Sequence, residues 1–92
     1  MIPSPTTINE LRKDFENKSE SAENYKTRNG ISTLESADSK YLQLLIDREL
    51  AYFEYKKVEI GEPSFSRLHA PVINHRLNRY RDLLKSHSGD LV

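Results

Sequence analysis

The chain has 92 residues, no cysteine and no tryptophan, and its 14 Lys and Arg are balanced by 14 Asp and Glu. That length holds one domain, the missing thiols exclude a disulfide scaffold or a thiolate metal site, and the neutral balance leaves no global field to draw the protein onto nucleic acid or an anionic membrane. Leu, Ile, Val and Phe number 23, about a quarter of the chain and above the roughly 20% below which disorder is expected. Only Ile2, Ile8, Leu11, Phe15, Ile31 and Leu34 of these precede residue 41, so the core is expected to be mostly C-terminal.

After a flexible end at 1–6, the first predicted helix covers about 7–28. Thr7-Ile8-Asn9-Glu10 fits a capping box, in which the threonine oxygen accepts an orphan amide and the glutamate reaches back. Ile8, Leu11, Phe15, Ala22 and Tyr25 then recur at 3–4 spacing, interrupted by Lys18, and make a narrow seam suited to lying along another helix. Residues 17–24 are polar and Ser-rich, so this helix is expected to need cover from a partner or from the rest of the domain. Asn29-Gly30 closes it. A linker at 30–38 follows, with Ser36 or Asp38 as the cap of the next helix.

The second helix is expected at about 39–60, ended by Gly61 and Pro63. At 100° per residue, Tyr41, Leu44, Leu45, Tyr52 and Tyr55 share one arc and Leu42, Ile46, Leu50, Phe53 and Ile60 a second, with Lys40, Gln43, Asp47 and Glu54 on a wet side. The third helix is expected at about 71–87, with Pro71 in its first turn and Ile73, Leu77, Tyr80 and Leu84 as its stripe. Phe65 and Leu68, in the connector, are expected to plug the end of the hairpin as a short helical turn, and 88–92 to form a flexible end. The fold class is therefore all-α: an antiparallel helical hairpin plus an N-terminal helix, as a small three-helix bundle or an oligomeric one.

A helix with two apolar arcs has more surface than one neighbour covers. Either the Ile8–Phe15–Tyr25 seam fills the second arc, or a second copy or a target protein does. The functional expectation is a non-enzymatic protein-binding module, an adaptor, regulator or inhibitor that binds another protein and itself as a homo-oligomer. Leu42, Ile46, Leu50 and Phe53 are its expected anchors, Tyr52 and Tyr55 their amphipathic margin, and Arg76 and Arg79 orient it against an acidic surface. The alternative is a nucleic-acid or nucleotide-phosphate binder built on Arg67, His75, Arg76, Arg79, Arg81 and Lys85, although helical spacing scatters these cations over several edges.

No catalytic, cofactor-binding or metal site is expected. His69, His75 and His87 miss the i, i+4 spacing of helical metal pairs, and Glu16, Glu20 and Glu23 share a helical face in the polar stretch, where like charges point to water. Gly30, Gly61 and Gly89 stand singly and form no phosphate-cradling loop. The N-terminus lacks the basic and apolar regions of a secretory signal, and the longest strongly apolar run, Leu44-Leu45-Ile46, is far short of a membrane span. A cytoplasmic location is the resulting expectation.

Overall fold

The computed structural model describes residues 5–89 and contains three α-helices among them: α1 (Pro5–Arg28), α2 (Ser39–Ile60) and α3 (Ala70–Gly89). A π-helical turn, Phe65–His69, leads directly into α3. The fold is all-α, as the periodicity indicates. Residues 5–6 and 88–89 are helical where flexible ends are expected, since α1 begins at Pro5 and α3 runs on to Gly89, and the rest of those ends lies outside the described residues. Thr7 consequently sits within the first turn of α1 and not at its cap, because Pro5 occupies the opening of the helix, where its missing N–H costs nothing.

The end of α1 is a Schellman motif. Gly30 adopts φ 64°, the Gly30 N–H donates to the Thr27 carbonyl at 3.4 Å, and the Ile31 N–H reaches back to Lys26 at 3.0 Å. This reversal delivers Ile31 into the core, 8% exposed, and Ala37 follows at the other end of the linker, 1% exposed. Asp38, rather than Ser36, then caps α2: its Oδ1 accepts the Tyr41 N–H at 2.8 Å. Ser36 instead closes a local turn with Thr33. Gly61 ends α2 at φ 79°, its N–H bonded to the Lys57 carbonyl.

The helical path to α3 starts before Pro71, so the sequence boundary there is too late. In a regular α-helix the Pro71 ring would collide with the carbonyl four residues earlier. The turn avoids this by widening: the Ala70 N–H donates to the Phe65 carbonyl, a π-type step that carries the chain helically through the proline. It also turns Phe65 inward, 1% exposed, and leaves Leu68 64% exposed. Phe65 plugs the hairpin as expected, and Leu68 does not.

Helix α2 is the spine. Both α1 and α3 pack on it, and among the described residues no Cα of α1 comes within 8 Å of one of α3. On the α1 flank, Phe15 lies 4.9 Å from the Tyr52 ring and 6.3 Å from Tyr55, and Tyr25 stacks parallel to Tyr41 at 6.4 Å. The second arc enters the core with α3 and its leading turn: Leu42 and Ile46 are buried with Ile73, Leu77 and Tyr80, and Phe53 meets Phe65 edge-on at 4.8 Å. The N-terminal seam therefore fills the tyrosine arc, and the hairpin fills the Leu42–Phe53 arc. No helix among the described residues is long and apolar enough to cross a membrane.

Candidate functional site

Of the four expected anchors, Leu42 and Ile46 are interior and Phe53 is half-buried against Phe65. Only Leu50 is exposed, and it stands on the wet strip with Gln43 and Glu54. The four do not form one open face, because the hairpin consumes most of it. The tyrosine margin divides as well. Tyr55 is buried, and its hydroxyl donates to Glu59 at 2.6 Å while the Lys56 ammonium donates to the same carboxylate at 2.6 Å. That bond to Glu59 raises the Tyr55 pKa, and Lys56 first, then Tyr55, lowers that of Glu59. Tyr52 stays half-exposed.

The cations of α3 are likewise separated. Arg79 bonds Glu35 of the linker at 3.2 Å. Arg76 grips Glu49 of α2: its Nε lies 2.8 Å from Oε1, off the axis for a hydrogen bond, and its Nη2 donates to Oε2 at 3.2 Å. The guanidinium also lies 6.0 Å from the Tyr52 ring centre. Glu49 is only 5% exposed, an acid facing into the hairpin. Its place on the helical wheel, between Leu42 and Leu45, is the signal that could have found it. Arg67, His75, Arg81 and Lys85 are exposed and make no side-chain hydrogen bond or ion pair among the described residues, but they project from different sides of the helix. No group of three His, Asp or Glu among the described residues could hold a metal ion.

What the arrangement does bring together is a shallow trench over α2, made of two clefts that share Arg48 above the buried Tyr41, Leu45 and Glu49. At one end a cleft of about 280 Å³ is lined by Phe15 and Ser19 of α1, Arg48, Glu49 and Tyr52 of α2, and Arg76 of α3. Toward the linker a second cleft of about 190 Å³ continues past Arg48, lined also by Lys26, Ile31, Tyr41, Leu45 and Tyr80. The trench is aromatic and cationic: Glu49 is its one lining acid, and Arg76 already holds it. Lys26 and Arg48 have no ion pair among the described residues. Sequence reading missed Phe15, Lys26 and Arg48 as a group, because three separate elements meet only in the fold.

No protein-family model, curated protein or solved structure matches this chain. The functional reading therefore rests on the trench itself.

Proposed function

We propose that this chain is a small non-enzymatic protein-binding module, an adaptor, regulator or inhibitor, that receives an acidic amphipathic helix of a partner protein in the trench over α2. The observation that carries this reading is that two clefts share Arg48 and are lined by residues of α1, α2 and α3, with Arg48 and Tyr52 half-exposed above a buried floor of Tyr41, Leu45 and Glu49. At 1.5 Å per residue the stretch of α2 from Tyr41 to Tyr52 is roughly 17 Å long, so the side chains of about three turns of a partner helix could reach the two clefts. Tyrosine, phenylalanine and arginine line it, the residue types that concentrate binding energy in interfaces. Its surplus of positive charge selects an acidic occupant.

The same charge argues against a symmetric pair of trenches. A two-fold pairing of trenches would bring together two surfaces with the same surplus of positive charge, which disfavours it. The exposed apolar side chains outside the trench are Leu50 on α2 and, four residues apart on the continuous helical path into α3, Leu68 and Val72.

The test is a synthetic helix of about five turns with leucines on one face and glutamates beside them, titrated by fluorescence anisotropy, with sedimentation of the free protein alongside. The expected result is a monomeric protein that binds the acidic peptide with micromolar affinity, loses it steeply with added salt, and ignores the lysine counterpart. Tyr52→Ala should weaken binding tenfold or more. Equal binding of both peptides, or a homo-oligomer that occupies the trench, would refute the reading.

A further inference from the structure

The linker end of the trench differs from the rest in chemistry. Its cleft, about 190 Å³, is smaller than the roughly 300 Å³ at which sites for whole small molecules begin, and large enough for one polar group. Two half-buried cations line it, Lys26 from the last turn of α1 and Arg48 from the middle of α2. Neither has a counter-ion among the described residues. Tyr41 and Tyr80, each 8% exposed, line the same cleft, and neither phenol makes a hydrogen bond within the described residues. Ser32 adds a hydroxyl, whereas that of Thr33 is spent on Ser36.

Within the cleft, Tyr41 lies close to Arg48 and Tyr80. The Tyr41 hydroxyl, whose pKa is raised chiefly by burial, also feels the positive charge of Arg48 and the proximity of Tyr80. No acid is among the lining residues, although Glu23 on α1 is near enough to act on Tyr41. The Tyr41 and Tyr80 hydroxyl oxygens reach solvent at the cleft, so together with the two cations they are free to donate to a ligand with negative charge and several acceptor oxygens.

We propose that this cleft is a binding site for a phosphoryl group, held by Lys26 and Arg48 as charges and by Tyr41, Tyr80 and Ser32 as hydroxyl donors. A phosphomonoester carries −1.5 to −2 charge at neutral pH and three acceptor oxygens, which matches two cations and three hydroxyls better than a carboxylate with one charge and two oxygens. The site goes beyond the helix-docking role and does not depend on it. Arg48 is common to both, since it lines both clefts, while Lys26, Ser32 and Tyr80 belong to this one.

The probe is inorganic phosphate, titrated into the full chain at low salt and followed by NMR through the Arg48 guanidinium and the Tyr41 and Tyr80 ring signals. Saturable shifts with a dissociation constant of about 1 mM are expected, and acetate at matched ionic strength should bind at least about tenfold more weakly. Arg48→Gln and Lys26→Gln should each weaken phosphate about tenfold, whereas Glu23→Gln should tighten it and Arg81→Gln should leave it unchanged. That opposition of sign between neighbouring positions on α1 is something a merely structural role would not produce. Should Arg48→Gln fail to fold, Lys26→Gln and Glu23→Gln carry the test, as both side chains lie outside the hydrophobic core.

Separate titrations with AMP and with O-phosphotyrosine identify the source. Tighter binding of one places the phosphoryl group on a nucleotide or on a modified side chain, and equal affinities leave free phosphate as the ligand. The absence of saturation by phosphate, acetate binding as well as phosphate, or binding indifferent to both Arg48→Gln and Lys26→Gln overturns the proposal. Phosphate saturation without acidic-peptide binding would keep this site and remove the docking role, and the converse result would do the opposite.

Discussion

The two flanks of α2 are built differently. Toward α3 the contact is dry: Leu42, Phe65 and Ile73 are at most 1% exposed and Leu77 is 3% exposed. Toward α1 it is shallow, for of the α1 seam only Ala22 is fully buried, while Ile8, Leu11, Phe15 and Tyr25 remain half-exposed. The small side chain of Ala22 is what permits α1 to lie close, and aromatic rings with polar edges do the rest. Since apolar burial contributes roughly 25 cal/mol per Å², removing a side chain from the dry hairpin contact should cost more than removing one from the half-exposed α1 seam.

This contrast is broken or sharpened by truncation on each side. Leu42→Ala empties a fully enclosed site and should cost about 3–4 kcal/mol in urea denaturation, whereas Leu11→Ala, half-exposed, should cost about 1 kcal/mol. Equal losses would show that the flanks contribute alike. Arg76→Ala leaves the Glu49 carboxylate without its cation between the flanks. Because Arg76 is itself 40% exposed, water softens the effect, and about 2–3 kcal/mol is expected, below the range for a fully buried pair. A double change with Glu49→Gln should cost less than the sum of the two single changes if the pair is the cause.

Smaller effects are expected where α1, the linker and α2 meet. Asp38→Ala removes the cap of α2 and the acceptor of the Tyr25 hydroxyl, at 2.7 Å, and should cost about 1 kcal/mol. The Asp38 pKa is lowered, first by the Tyr41 backbone N–H, and that of Glu59 is lowered, first by Lys56. A carboxylate depressed on folding contributes its full stability above its unfolded value and loses it as pH falls through the folded one. The protein should therefore hold its stability at neutral pH and lose a modest part below about pH 4. In Asp38→Asn that acid-dependent loss should be smaller, and an unchanged acid profile would exclude Asp38 as a contributor. Finally, amide exchange should be faster in residues 8–20 of α1 than in residues 41–55 of α2, and uniform protection would erase the distinction between the two helices.

Much of the fold was readable along the chain because its signals are local. The apolar arcs of α2, the reversal at Asn29-Gly30 and the stop at Gly61 each depend on a few neighbouring residues whose backbone preferences point one way. Where α3 begins was not readable in this way: Pro71 is a good first-turn residue in isolation, and only the burial of Phe65 against Phe53 explains why the chain turns helical earlier and widens to pass the proline. The anchors Leu42, Ile46 and Phe53 were legible as apolar but not as spare, since a helical wheel shows how much surface is greasy and not which neighbour covers it.

The linear chain thus determined by itself that this protein is helical, where most of its turns fall, and that its second helix must be covered on two sides, because propensity, capping and periodicity act over a turn or two. Only the tertiary structure decided which cover lies on which arc of α2, that Glu49 is buried against Arg76, and that Lys26, Arg48, Tyr41 and Tyr80 share a cleft. Those facts depend on how α1 and α3 pack on α2, which is set by the combined shape of side chains far apart in sequence and is encoded in no single stretch.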